Sequence, residues 1–436
     1  MLRLTGRSGE TGKILRGMFI AVFCKGFAVV FSYLLHFVLA RMLGSEGLGL
    51  FALAFTVVVS ASFLGRFGLD YVLLRHAALY SSSGQMGVLG AWSHRANLLA
   101  GGVALTLTLG IAASGQWFCV GVFGKPELFI PLVAMIAGLI PQTLLFLQAE
   151  TLKGAGYIRA SQMLQGDGGG VIVFGAALCL SLPLAIPYGV TGAAVGFALA
   201  SWLAYFAGCG MSARLFAGEP RQNPPTFSHL LALGMPLFIA SALSLVVARA
   251  GILFLGAWAS ATTVGVFAMA QKLALLGSNI QTACCTVIGP KIAVLQKKGD
   301  VHELAAYYRS GTRLIGALTV VVLGGVALFA SPILGLLGAD FVQGATALRI
   351  LAAGEMLALV FGPTSITLIT TGYSREHCIA VGLAAAVMAL SGLLIPVYGL
   401  EGAAVAVAVS TLTQAVGQAV FIQRRLGFFP CVIRVG

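Results

Sequence analysis

Residues 229–257 read HLLALGMPLFIASALSLVVARAGILFLGA. This apolar stretch is long enough to cross a bilayer as a helix, which takes about 20 residues. One residue breaks the pattern: Arg249 lies well inside it. A guanidinium facing lipid tails is costly, so an intramembrane cation normally faces other helices or a water-filled cavity. The next apolar stretch, 262–288, contains Lys272, and the first in the chain, 14–40, contains Lys25. The pattern predicts cations that face one another across a cavity and hold something anionic.

The rest of the 436-residue chain is of the same kind, with 59% hydrophobic and 9% charged residues. Soluble proteins carry about a quarter charged residues. The composition is that of a polytopic membrane protein with little outside the bilayer. The net charge of +13 is accounted for by Lys and Arg in cytoplasmic loops and needs no nucleic-acid partner. The eight cysteines are scattered, without a disulfide framework or metal spacing. The apolar stretch from Ile14 is too long for a cleavable signal and lacks a cleavage pattern.

Hydropathy predicts twelve spanning helices, at 14–40, 47–67, 93–114, 127–149, 165–184, 190–212, 229–257, 262–288, 312–337, 343–371, 376–395 and 400–423. Lys and Arg fall on alternate inter-helix segments. One side holds Arg7, Arg75, Lys153, Arg214, Arg309 and Arg424 among others, and the opposite side only Arg41 and Lys125. The positive-inside rule then places both termini in the cytoplasm. Of the longer inner segments, 289–311 reads as an amphipathic cytoplasmic helix with a Gly-Asp start.

The chain is internally duplicated. Gly49-Leu-Phe-Ala-Leu-Ala54 returns as Gly265-Val-Phe-Ala-Met-Ala270, and Gly156-Tyr-Ile-Arg159 as Gly372-Tyr-Ser-Arg375. Tyr188-Gly-Val-Thr-Gly-Ala-Ala-Val195 returns as Tyr398-Gly-Leu-Glu-Gly-Ala-Ala-Val405. Six helices per half give both halves the same orientation. The predicted fold is therefore all-α: two parallel six-helix bundles around a central cavity, related by a pseudo-two-fold axis along the membrane normal. The bundles are 1–213 and 229–436, joined by a Pro-rich cytoplasmic linker, 214–228.

The polar residues within the spans form the candidate site. Lys25, Ser32 and His36 share one face of the first helix. Ser62, Arg66 and Asp70 share a face of the second, with Arg66 and Asp70 spaced for an ion pair. Arg66 reads equally as an interfacial anchor and as a ligand contact. Arg249 has no acid within one helical turn, and its structural alternative is a pair with Glu355 or Asp167 on another helix. Lys272 shares a face with Asn279, beside Gln271, Ser278 and Thr282. Glu355 is the best single candidate for a proton or sodium site, the alternative being a salt bridge to Arg249 or Lys272.

Several chemistries are not supported. Gly6–Lys13 resembles a phosphate loop, but five residues rather than four separate Gly6 from Gly12, and Ile14 stands where Ser or Thr is needed. The six histidines form no ligand pair, and no catalytic triad or carboxylate pair stands out. The outer loops are too short for a catalytic domain. No enzyme, cofactor or metal is expected.

The stretch Leu39-Ala-Arg-Met-Leu-Gly-Ser-Glu-Gly-Leu-Gly-Leu-Phe-Ala-Leu-Ala54 resembles the opening hairpin of polysaccharide exporters. These are the O-antigen and exopolysaccharide flippases of the multidrug/oligosaccharidyl-lipid/polysaccharide exporter superfamily. Phe67-Gly-Leu-Asp70 with Arg75 is similar to that family as well. The resemblance implies alternating access in the bacterial inner membrane and a polyprenyl-diphosphate-linked oligosaccharide as substrate. It implies lipopolysaccharide or exopolysaccharide synthesis, with glycan polymerase or glycosyltransferases as partners. It also implies a cavity lined by basic residues of the first, second, seventh and eighth helices, which here carry Lys25, Arg66, Arg249 and Lys272. Related lipid II flippases often carry two extra helices, which are not read here. An ion-coupled multidrug exporter of the same superfamily is the alternative, and it would line its cavity with acids.

Overall fold

Three glycines divide the longest helical segments. Gly44 lies inside α1 (Thr5–Gly65) with φ 69° and ψ −174°. Gly189 lies inside α7 (Val171–Leu215), and Gly399 inside α16 (Ile395–Leu426), with φ 54° and 52° and ψ −133° and −123°. Only glycine enters this region without strain. Unbroken, α1 would run about 90 Å at 1.5 Å per residue, three times the hydrocarbon thickness. The break at Gly44 makes two spans of it.

At Gly189 the chain doubles back, because Ser181 Oγ donates to Ala193 O at 3.0 Å across the turn. At Gly399 it does so again, with Ser410 Oγ donating to Ala384 O at 2.8 Å. Seven helical segments are apolar and long enough to cross a membrane, and the bent pair Pro126–Ile136 and Leu139–Gly154 makes eight. Dividing three of them at Gly44, Gly189 and Gly399 gives eleven apolar crossings among the described residues. In the twelve-helix order, α9 (Ala261–Ala274) and α10 (Leu276–Lys298) lie between the seventh and the ninth. The computed structural model describes residues 5–164, 170–216, 222, 224–298 and 301–430. Asp167, Gly299, Asp300 and residues 217–221 and 223 of the linker lie outside that set.

The duplication is visible atom by atom. α5 (Leu139–Gly154) and α14 (Thr364–Thr370) end in the same way. Tyr157 N donates to Leu152 O at 2.8 Å, and Tyr373 N donates to Leu368 O at 2.8 Å. The glycine between, Gly156 or Gly372, has φ 87° or 90°. This is the six-to-one bond and left-handed residue of a glycine-terminated helix. The Gly-Tyr motifs are thus helix stops.

By contacts the chain forms two compact units, 1–42 with 57–241 and 43–56 with 242–436. These differ from the halves of the sequence duplication, since 43–56 and 229–241 have exchanged sides. Close glycine packing explains both. In the second unit, a Cβ on Gly49 would fall on Ala261 O and lie 2.9 Å from Gly265 N. One on Gly265 would fall on Ser45 O and lie 2.8 Å from Gly49 N. The recurring motif therefore packs against its own copy. Ser45 Oγ adds a 2.9 Å hydrogen bond to Asp340 Oδ2.

In the first unit, the turn after α1 meets the start of α8 (Phe227–Trp258). A Cβ on Gly68 would lie 2.8 Å from Phe238 N, and the Phe67 and Phe238 rings stack at 4.6 Å.

The expected amphipathic helix over 289–311 is not a separate element. α10 (Leu276–Lys298) extends the eighth span, and α11 (Val301–Leu328) begins the ninth.

Candidate functional site

In the second unit, Arg249 sits on α8 and Lys272 in the last turn of α9 (Ala261–Ala274), where a cation meets the negative end of the helix. Both are half-buried. They lie close enough for their charges to repel. Arg249 makes no ion pair among the described residues. Two positive charges brought together at membrane depth are stable only if something offsets them, and an anion or water does so at least cost.

Glu355, on α13 (Ala345–Leu359), is not that offset. Ser278 Oγ of α10 donates to its Oε2 at 2.8 Å, and it forms no ion pair among the described residues. The salt bridge to Arg249 or Lys272 weighed from the sequence is therefore not formed. The carboxylate instead borders a cleft of about 20 Å³, shared with Gln271, Leu351, Val407 and Thr411. That space suits about one water or one bare cation.

In the first unit, Lys25, Ser32 and His36 are all buried. Their stripe faces protein, while Phe23, Phe27 and Val30 on the same helix are exposed. Lys25 does not snorkel to solvent. His36 Nδ1 bonds Ser32 O at 2.7 Å. Arg66 is held on three sides. Its Nη1 donates to Asp70 Oδ2 at 3.4 Å, and its guanidinium lies 4.2 Å from the Phe63 ring and 3.8 Å from the Phe146 ring. Phe67, next to it, has φ 52°, an uncommon value for a bulky residue. The Phe67-Gly-Leu-Asp70 motif thus has a structural account. Gly68 takes φ 72° against the Gly234 backbone, and Asp70 holds Arg66.

The structure brings together Arg249 and Lys272, and Glu355 and Ser278. Ser278 as the partner of Glu355 is not readable from spacing along one helix. The repeat carries the signal. At the offset of the Gly49 and Gly265 motifs, Ser278 matches Ser62, Glu355 matches Leu139 and Lys272 matches Thr56. In the first copy Ser62 Oγ merely accepts from Thr143 Oγ1 at 3.2 Å. The charges are departures from an otherwise shared scaffold.

A profile for the family described as polysaccharide biosynthesis protein matches residues 14–296, more than half of the chain. The chain belongs to the polysaccharide biosynthesis protein family. No curated protein sequence matches it. Solved structures share its fold. A multidrug resistance MATE family transporter of the MOP superfamily, inward-facing, aligns with TM-score 0.77 at 16% identity, over 94% of this chain and 98% of that one. A MOP superfamily transporter from Pyrococcus furiosus aligns with TM-score 0.70 at 18% identity, over 95% of each chain. The lipid II flippase MurJ, inward closed, aligns with TM-score 0.68 at 15% identity, over 91% of this chain and 88% of that one. This member of the polysaccharide biosynthesis protein family is a multi-pass membrane protein with the fold of exporters and flippases.

Proposed function

We propose that this chain flips a polyprenyl-diphosphate-linked oligosaccharide across the bacterial cytoplasmic membrane, by alternating access, for lipopolysaccharide or exopolysaccharide synthesis. The observation that carries the reading is that Arg249 and Lys272, both within the spans, lie in electrostatic range of each other, with no carboxylate paired to Arg249 among the described residues. A diphosphate carries charge opposite to that of these two cations. Alone it cannot cross about 30 Å of hydrocarbon, whereas a hydrated cationic site lets it cross while the prenyl tail stays in lipid. The family match and the likeness to a lipid II flippase support this substrate class.

In this reading Arg249 and Lys272 bind the diphosphate and Lys25 contributes a further contact. Arg66, clasped by Asp70 and two rings, positions the helix that carries it. Glu355 carries the coupling ion. Residues 1–213 and 229–436 act as two six-helix repeats joined by 214–228, with both termini cytoplasmic. Polymerase or glycosyltransferases act beside it. The test is flipping of a fluorescent lipid-linked oligosaccharide in liposomes. Arg249→Ala should slow it about tenfold or more, the loss of a hydrogen bond to a charged group. Unchanged rate and affinity would overturn the assignment.

A second reading, an ion-coupled multidrug exporter, is favoured by one observation: Glu355 is an acid within the spans and no cation neutralises it among the described residues. The likeness to a multidrug resistance transporter agrees with it. Protection of cells against cationic dyes, abolished by Glu355→Gln and indifferent to Arg249→Ala, would select that reading.

A further inference from the structure

Only one oxygen of the Glu355 carboxylate is in use. Its Oε2 accepts from Ser278 Oγ at 2.8 Å, and its Oε1 has no hydrogen-bond partner among the described residues. Two further side chains on the same cleft of about 20 Å³ are unused. Gln271, on α9, is 8% exposed, yet its side-chain amide makes no hydrogen bond among the described residues. A buried amide left so is costly. Thr411, on α16, is half-buried, and its hydroxyl is likewise unpartnered among the described residues. Helical threonines often bond back to the carbonyl one turn earlier. Thr413 does so to Val409 O at 2.8 Å, and Thr312 to Tyr308 O at 2.9 Å. Three helices thus bring one carboxylate and two neutral oxygens, none of them satisfied by protein, to a space of about one water. Leu275 on the rim is exposed, so the cleft has an entrance.

The first half of the duplication makes the contrast. At the offset of the Gly49 and Gly265 motifs, Gln271 matches Phe55 and Glu355 matches Leu139. At the offset of the Tyr188 and Tyr398 motifs, Thr411 matches Ser201, whose Oγ donates to Phe197 O at 2.9 Å. Each partner is apolar or already bonded. Three departures from a shared scaffold, on three helices, therefore meet at one point, as a ligand site requires.

We propose that this cleft is a sodium site. The Glu355 carboxylate, the Gln271 side-chain carbonyl and the Thr411 hydroxyl supply oxygens, and Ser278 fixes the carboxylate through its Oε2. Oxygen donors suit hard cations. No group of three His, Cys, Asp or Glu side chains that could hold a transition metal exists among the described residues. One carboxylate offsets one positive charge, so a divalent ion would leave a net charge at membrane depth. A space of one water takes the ion bare. Between bare alkali ions, an anionic carboxylate attracts the smaller more strongly, which favours sodium over potassium. A proton would need the carboxylate alone and would leave the Gln271 amide and the Thr411 hydroxyl without a role. That the bound sodium is the ion carried in transport rests on the coupling role of Glu355; the site itself is tested by binding.

The test is retention of radiolabelled sodium by the purified full chain in detergent, at constant ionic strength balanced with choline. The wild type should retain it, and unlabelled sodium should displace it several-fold more readily than potassium. Thr411→Val and Gln271→Leu each remove an oxygen at nearly constant volume and should weaken retention about tenfold. Thr411→Ser keeps the hydroxyl and should bind as the wild type does; a threonine that only filled space would give the opposite order. Glu355→Gln should abolish retention. Thermal unfolding in choline should find Thr411→Val as stable as the wild type. No retention by the wild type, as for a cleft that holds a water only, overturns the proposal. Equal displacement by potassium does so too, as does retention unchanged in both Thr411→Val and Gln271→Leu. Flipping in liposomes reads the coupling role separately. No sodium retained, with flipping still driven by a proton gradient through Glu355, would remove the sodium site and keep that role. Sodium retained as expected, with flipping indifferent to any imposed gradient, would remove the role and keep the site.

Discussion

Replacing Gly49 or Gly265 with alanine tests the packing that carries 43–56 into the second unit. The new methyl would land on a helical backbone carbonyl, Ala261 O for Gly49 and Ser45 O for Gly265. In each case it would also lie under the 3.0 Å that real Cβ contacts respect, at 2.9 Å or 2.8 Å from the facing glycine N. A carbonyl within a helix cannot rotate away, so the two segments must separate. Overpacking costs about 1–3 kcal/mol, and a backbone obstacle argues for the upper end. Alanine returns about 1 kcal/mol in helix propensity. The net expectation is a loss of about 2 kcal/mol for each variant. Gly324→Ala is the control, because nothing lies within 4 Å of its Cβ position inside α11; it should gain up to about 1 kcal/mol. In the double variant Gly49→Ala/Gly265→Ala the second methyl enters an interface already opened. Its loss should fall clearly short of the sum. Thermal unfolding in detergent reads all four. Equal stability of Gly49→Ala and Gly324→Ala, or strictly additive losses, would refute the reasoning.

Three further outcomes follow from the same geometry. Arg66→Leu leaves Asp70, 8% exposed, without its counter-ion, and should cost about 3–5 kcal/mol. Arg66→Leu/Asp70→Leu should recover much of that in the same unfolding assay. Gly189→Ala and Gly399→Ala meet no atom within 4 Å, so each should lose only the backbone strain of its positive φ, about 1–3 kcal/mol. Unequal losses would count against a shared turn. Glu355→Gln should keep gradient-independent flipping in liposomes but lose stimulation by an imposed proton or sodium gradient, and stimulation that survives would remove Glu355 from coupling.

Much of this protein was legible in its residues. Apolar runs measured against a bilayer of about 30 Å set the number of spans. The recurring Gly-Tyr and Tyr-Gly motifs disclosed the duplication, and the structure then gave their meaning as helix stops and hairpin turns at Gly156, Gly189, Gly372 and Gly399. The pairing of Arg66 with Asp70 was readable because it lies within one helix, four residues apart. The Phe146 ring over that guanidinium, brought from another helix, was not.

What only the tertiary structure decided is which helix each polar face meets. Helical periodicity tells which residues of one helix point the same way, but not the partner they point at. From sequence, Arg66, Arg249 and Glu355 were each open to a structural ion pair. Packing gave one to Arg66, left Arg249 in electrostatic range of Lys272, and bonded Glu355 to Ser278 instead. The same limit hid the close approaches of Gly49 to Ala261 and of Gly265 to Ser45. Those depend on ångström-scale approach between segments far apart in the chain, and residue order along one helix carries no record of that approach.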